Sequence, residues 1–211
     1  MHLCRLLAIL VFLILVFPSM GTERNYSIKA FEDTIPTQEN RILFAQSGFQ
    51  FGLPFVYEKL PEGKYVPLLL QGDIDFQFKK KTSTAFNPNR FYLYLEPTAN
   101  PVMIPDTTSS LEMGVTIGLK YGYYFLKYNS VKLHVSTGPQ YQHLNSLNQA
   151  QGIIFSDNFG ISYQRDLKKK PLYLSLGYRF RHISNLNLNL PNGGIDTHFI
   201  LMGIGRNRSA H

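Results

Sequence analysis

The chain is poor in cysteine, tryptophan and charge. Among its 211 residues there is one cysteine, Cys4, and no tryptophan. A single cysteine excludes an internal disulfide framework and any zinc site built on cysteines. Charged residues make up 17% of the chain, against about 25% in an average soluble domain. Hydrophobic residues at 44% indicate neither a disordered tail nor a bundle of membrane helices.

The sequence contains one long apolar run, and it lies at the N-terminus. Residues 6–17 are all apolar and follow a short basic start. A helix of that length rises about 18 Å, too short for a hydrocarbon core of roughly 30 Å. Small residues at Ser19 and Gly21 follow, so we predict a secretory signal peptide over residues 1–21. An uncleaved anchor is the alternative, and in either case the protein leaves the cytoplasm. A polar segment follows over residues 22–40.

From there on the dominant hydrophobic period is two, which is typical of strands with one apolar and one polar face. Several segments continue this alternation for 12 or 13 residues, against a usual strand length of about 5–6. The pattern predicts an all-β domain over residues 41–205, followed by a tail over 206–211. Its eight antiparallel strands are expected at 43–52, 70–78, 91–96, 111–124, 131–142, 153–164, 172–184 and 195–205.

Eight strands of this length predict a closed barrel, which leaves no unpaired edge. A transmembrane barrel of the bacterial outer membrane would turn its apolar face to lipid. A soluble, secreted barrel of the lipocalin type would turn that face inward, and periodicity alone does not choose between them. Loop lengths favour the membrane barrel: the connections near 53–67, 97–110, 143–152 and 185–194 are on average longer than those near 79–90, 125–130 and 165–171.

The net charge of +7 would by itself suit nucleic acid, anionic lipid or simple solubility. The two lysine runs, 79–81 and 168–170, fall in the shorter predicted turns and are interpreted as solvated turn residues. No basic patch interleaved with aromatics lies on one face, so nucleic-acid binding is not expected. No spacing of metal ligands is present, and we expect neither a metal nor a cofactor.

Three chemically useful side chains fall at the ends of the last two predicted strands. His182 and Ser184 are two residues apart and therefore point the same way. Asp196 has the parity of the apolar face of the next strand, and hairpin pairing brings the two strand ends together. A hydroxyl, an imidazole and a carboxylate could thus meet on the outer surface of the barrel, as nucleophilic catalysis requires. The alternative is that these are ordinary polar residues at the barrel rim.

The strings around these residues resemble the PagL family of outer-membrane lipid A 3-O-deacylases. The resemblance covers roughly the last two thirds of the chain. The segments that carry it are 157–160, 177–179, His182-Ile183-Ser184-Asn185 and Pro191-Asn192-Gly193-Gly194-Ile195-Asp196. It implies an eight-stranded barrel whose active site faces lipid and which removes the acyl chain esterified at position 3 of lipid A.

The resemblance also implies roles for single residues. Ser184 would be the nucleophile, His182 the general base, and Asp196 the group that orients His182, at a position where the best-known members have glutamate. Asn185, Asn192 and Gly193 match the region of the family's oxyanion hole. The implied partners are lipopolysaccharide and membrane lipid, and a homodimer stays open. A non-enzymatic barrel acting as adhesin or structural protein, and a soluble lipid binder, are the competing functions.

Two further histidines complete the set of candidates. His198 lies two residues past Asp196 on the same face, where it could contact His182 or a lipid head group, although an aromatic belt at the membrane interface is the favoured interpretation. His134 falls among the polar positions of its strand and is interpreted as structural.

Overall fold

The computed structural model describes residues 40–208 except 62, 81–87, 105–108, 145 and 147. The signal peptide expected over residues 1–21, most of the polar segment after it and the last three residues of the chain lie outside the described residues.

The described chain is built almost entirely of β-strands. Eight long strands follow one another in sequence: β1 (Asn40–Tyr57), β2 (Leu69–Lys80), β3 (Asn89–Met103), β4 (Ser110–Leu126), β5 (Asn129–Gln142), β6 (Gly152–Asp166), β7 (Leu172–Ser184) and β8 (Ile195–Asn207). Between β1 and β2 the short strands Lys59–Leu60 and Gly63–Lys64 pair with each other, and Val66–Pro67 pairs with the end of β3.

Each long strand pairs antiparallel with the strands before and after it, and β1 pairs antiparallel with β8. The eight strands therefore form a closed all-β barrel, as the sequence predicts. Four connections lie at one end of the barrel, which we call the loop end: 58–68, 104–109, 143–151 and 185–194. The opposite end carries the connections 81–88, 127–128 and 167–171.

The polar face of the barrel points inward. Among the described residues, buried acidic and basic side chains occur four against four: Asp73, Asp75, Glu96, Glu112, Lys120, Lys132, Arg179 and Arg181. The apolar face of the strands therefore points outward, which periodicity alone could not decide. The lipocalin-like alternative, with an apolar interior, is not what the chain adopts.

The interior charges are paired. The Arg179 guanidinium donates two hydrogen bonds, of 2.6 and 2.7 Å, to the Glu96 carboxylate. It also donates to the Gln71 side chain at 2.9 Å. Arg181 donates to Glu112 at 2.6 Å. Planar guanidinium groups match carboxylates in this two-pronged geometry and give the strongest ion pairs.

A second group of charges lies nearer the opposite end of the barrel. Lys120 bonds to Asp73 and, at 2.8 Å, to Asp75. His134 is buried above Gly160, where a Cβ atom would overlap the imidazole. The sequence interpretation of His134 as a structural interior residue agrees with this placement.

The exterior of the barrel is apolar. Many large hydrophobic side chains stand with about half of their surface exposed, among them Phe49, Ile117, Phe159, Leu176, Met202 and Ile204. Contiguous exposed apolar surface on this scale is typical of proteins that contact lipid or a partner. Lys168, Lys169 and Lys170 lie exposed in the 167–171 turn, whereas Lys81 of the other lysine run lies outside the described residues. The described part of the chain contains no helix long and apolar enough to cross a membrane.

A buried apolar cluster closes the loop end from within. It combines strand ends with residues of the connections: Leu60, Tyr65, Val102, Ile104, Leu144, Ile154, Ile183 and Ile195. Burial, followed by the neighbouring Glu112 carboxylate, raises the pKa of the Tyr65 phenol. The phenol therefore stays protonated and donates to Glu112.

We expect the Arg179–Glu96 pair to matter strongly for stability. Replacing Glu96 with glutamine should lower the free energy of unfolding by about 3–5 kcal/mol, because a buried guanidinium loses its charged partner. Urea unfolding of the barrel in lipid vesicles measures this, with Glu58→Gln at the loop end as the matched control. The double variant Glu96→Leu with Arg179→Met should recover most of the loss, since no buried charge remains unpaired. Unchanged unfolding of the Glu96→Gln variant would contradict the prediction.

Candidate active site

The site is built where β7 ends and β8 begins. Ile183 and Ile195 are direct partners in the ladder between the two strands, and both side chains point into the buried cluster of the loop end. Because successive strand residues alternate in direction, the residues next to these isoleucines must point outward. His182, Ser184 and Asp196 thus stand on the barrel exterior, held in place by the inward anchors between them.

His182 and Asp196 face each other across the β7–β8 ladder. Nδ1 of His182 lies 2.6 Å from a carboxylate oxygen of Asp196, and the side chains are 36% and 52% exposed. A carboxylate can only accept a hydrogen bond, so Nδ1 carries the hydrogen of the neutral imidazole. The other ring nitrogen, Nε2, is then the one that can act as a base.

Ser184 is the last residue of β7 and lies on the same outward face as His182. Alternate residues of a strand stand about 6.5 Å apart along one face. Its side chain is half-buried, and its ladder partner on β6 is Phe155. The structure therefore places the three side chains on one outward face, with a hydrogen bond between His182 and Asp196, while their catalytic roles stay a prediction.

The three predicted oxyanion residues lie in or beside the 185–194 connection. The backbone N–H of Asn185 donates to the Asn192 side chain at 2.9 Å, and the Asn185 amide donates to the carbonyl of Asn189 at 2.6 Å. The Asn192 amide donates to Asn187 at 2.9 Å. The backbone N–H of Gly193 donates to the carbonyl of Asn148 at 2.7 Å. In this structure these donors hold the loop in shape.

The neighbouring 143–151 connection is joined to this loop. Besides the bond from Gly193, the backbone N–H of Ala150 donates to the carbonyl of Pro191 at 2.9 Å. The Asn148 side chain donates to the carbonyl of Gly194 at 3.0 Å. Neither Asn148 nor a role for Gly194 is predicted from the sequence, because the contact joins two loops whose proximity follows only from strand order.

An aromatic cluster lies beside the site on the exterior, farther from the loop end. The His198 ring contacts Phe180 at 5.2 Å and Phe55 at 6.1 Å between centroids. The Tyr178 hydroxyl and His198 Nδ1 are hydrogen-bonded at 2.8 Å. His198 thus lies among aromatic rings, and its position in a membrane-interface belt stays a prediction.

A second carboxylate flanks His182 on its other side. Asp157 of β6 is the ladder partner of His182 across β6–β7 and is exposed. Its carboxylate accepts a hydrogen bond from the Thr137 hydroxyl at 2.6 Å. Two aspartates therefore border the imidazole, and Nδ1 of His182 donates its hydrogen bond to Asp196.

A closed barrel of eight antiparallel strands, polar inside and apolar outside, with longer connections at one end, has the architecture of small outer-membrane barrels. The chain belongs to the PagL family, the lipid A 3-O-deacylases, whose family model matches residues 70–204. Members of this family are ester hydrolases. The family model thus covers β7 and nearly all of β8, including His182, Ser184 and Asp196.

The solved structures that this chain resembles are distant in sequence. The crystal structure of the outer-membrane enzyme PagL superposes with a TM-score of 0.52 at 13% identity, covering 75% of this chain and 98% of that one. Neisserial surface protein A gives a TM-score of 0.46 at 12% identity, covering 81% of this chain and 100% of that one. A search of curated protein sequences gave no match.

Proposed function

We propose that the protein is an outer-membrane serine esterase that removes the acyl chain esterified at position 3 of lipid A. The observation that carries this is the His182–Asp196 bond of 2.6 Å on the exterior face, with Ser184 one alternate position farther along β7. Membership of the lipid A 3-O-deacylase family supports the substrate and the bond that is cleaved.

In the proposed reaction, Nε2 of His182 takes the proton of the Ser184 hydroxyl while Oγ attacks the ester carbonyl carbon. The resulting tetrahedral intermediate collapses, and His182 gives its proton to the departing sugar oxygen. Water, activated by the same imidazole, then hydrolyses the acyl-enzyme and releases the fatty acid. Asp196 keeps the hydrogen on Nδ1 throughout and stabilises the imidazolium that forms after each proton transfer.

A tetrahedral intermediate needs hydrogen-bond donors for its oxyanion, each of which is worth about 3–4 kcal/mol in other hydrolases. We assign this role to Asn185, Asn192 and Gly193. Because their donors now bond within and between the loops, the role requires that substrate binding exchanges at least one of these bonds. The exposed position of Gly193 is compatible with such an exchange.

The apolar exterior supports a position in the outer membrane, with the loop end outward and the site at the level where sugar meets hydrocarbon. Polar side chains on a lipid-facing surface are costly unless they have a task or a partner. His182 and Asp196 satisfy each other, which reduces this cost. A substrate that resides in the same leaflet would reach Ser184 without leaving the membrane.

Mass spectrometry of lipid A tests the proposal directly. Gram-negative cells that express the protein should contain lipid A lighter by one hydroxy fatty acid, and the free acid should accumulate. Cells with the empty vector should not. Membrane fractionation and heat-dependent mobility on gels establish that the barrel is folded in the outer membrane. A folded barrel with an unchanged acyl pattern would leave only the non-enzymatic function.

A further inference from the structure

Hydrogen bonds within the 143–151 connection fix the position of Asn148. The Ser146 hydroxyl accepts hydrogen bonds from the backbone N–H groups of Asn148 at 3.2 Å and Gln149 at 2.9 Å. Leu144 on one side of this turn lies in the buried cluster of the loop end, and Gln149 on the other is fully buried. With its neighbours anchored, Asn148 is held half-buried at the surface.

Asn148 contacts the glycine pair of the 185–194 connection in three ways. Its carbonyl accepts from the N–H of Gly193 at 2.7 Å, and its Nδ2 donates to the carbonyl of Gly194 at 3.0 Å. Its side-chain oxygen also fills the space where a Cβ atom of residue 193 would lie. Only glycine at position 193 lets the asparagine side chain approach this closely.

Gly194 in turn lies against the catalytic imidazole. Its φ of 72° falls in the left-handed region, which other residues adopt at a cost. A Cβ atom on this residue would stand 2.9 Å from Cε1 and 3.5 Å from Nε2 of His182. The backbone to which Asn148 bonds therefore lies beside Nε2 of His182, the nitrogen proposed as the base for Ser184.

We infer that Asn148 is a positioning residue for the esterase reaction, which fixes the Gly193–Gly194 backbone beside His182. The inference rests on the proposed function. Asn148 acts through its side-chain hydrogen bond to the carbonyl of Gly194. When this bond is lost, the Gly193–Gly194 backbone beside Nε2 becomes less fixed. The His182 imidazole then spends less time in the orientation that proton transfer requires. Such small misplacements lower the rate of the chemical step more than they weaken substrate binding.

The test compares Asn148→Ala with Gln151→Ala, which removes an exposed amide from the same connection. Deacylation of purified lipopolysaccharide in detergent should show a kcat lowered roughly tenfold for Asn148→Ala, as expected when one hydrogen bond is removed, with KM changed less than about twofold. Asn148→Asp, which keeps the shape but lacks the donor, should lose as much. Gln151→Ala should match the wild type.

A second measurement does not depend on activity. With histidine labelled with nitrogen-15, the ring resonances of His182, assigned with a His182→Gln variant, should move in Asn148→Ala and stay in place in Gln151→Ala. If the wild type leaves lipid A intact, the proposed function fails, and the resonances still decide whether Asn148 positions the ring. Wild-type kcat in Asn148→Ala, a loss confined to KM, or unmoved resonances would overturn the inference.

Discussion

The Ser184→Ala variant is expected to lose deacylation by at least a thousandfold while remaining a folded barrel. Without Oγ there is no nucleophile for the acyl-enzyme route, and only the weak catalysis due to binding and oxyanion donors remains. Ser184 ends β7 and points outward, so its hydroxyl contributes little to the interior that stabilises the barrel. Release of hydroxy fatty acid from lipopolysaccharide, followed by mass spectrometry, measures the loss.

The matched control is Ser175→Ala, since Ser175 lies on the same strand with its side chain on the opposite, inward face. This variant should keep wild-type turnover. Heat-dependent mobility on gels should be the same for both variants, which separates lost chemistry from lost fold. Turnover retained in Ser184→Ala would remove Ser184 from its proposed role and direct attention to another nucleophile on this face.

The strands were predictable because each strand has one face toward the polar interior and one toward the apolar exterior. Apolar and polar residues therefore alternate with a period of two along the strand. The prediction fails in length where prolines interrupt the pattern. The third strand was expected to end at residue 96, yet β3 continues to Met103 with Pro97 and Pro101 inside it. Pro97 is tolerated because the β2–β3 ladder skips a stretch there, between Leu95 and Thr98, where the ring lies against Gly72.

The direction of the faces was not predictable from alternation alone. What decides it is the pairing of charges across the barrel. Arg179 and Glu96 are 83 residues apart in sequence and meet only when the sheet closes. The same limit applies to Asn148, whose contact with Gly194 joins positions 46 residues apart in two different loops. Local spacing is enough to predict the strands and the pairing within one hairpin of the site. Contacts between separate hairpins cannot be predicted in this way, because they form only when the barrel closes.

The His182–Asp196 pair was predictable because both residues belong to one hairpin, where parity and strand ends suffice. The residues proposed for the oxyanion hole show the limit of a resemblance. Asn185, Asn192 and Gly193 lie in or beside the 185–194 connection, and their donors bond within this loop and to Asn148. A sequence motif indicates which residues lie close together. It does not show which of their hydrogen-bond donors are free to bind substrate.

Asp196→Asn is expected to lower kcat by about ten thousandfold, the effect of the same change in a serine protease triad. An amide can turn its nitrogen or its oxygen toward Nδ1. In the first case it forces the hydrogen onto Nε2, so the imidazole can no longer accept the Ser184 proton. The amide also leaves the imidazolium without a compensating charge. Steady-state deacylation rates of the purified variant measure the loss.

Asp157 provides a control for this effect, because it is the ladder partner of His182 on the opposite strand and its carboxylate accepts a hydrogen bond from Thr137. Asp157→Asn removes the same charge from the neighbouring strand and should lower kcat less than about tenfold. Asp196→Glu keeps the negative charge and a carboxylate acceptor for Nδ1, and should keep most of the activity. Equal losses in the two asparagine variants would mean that negative charge near His182 matters and the specific bond to Nδ1 does not.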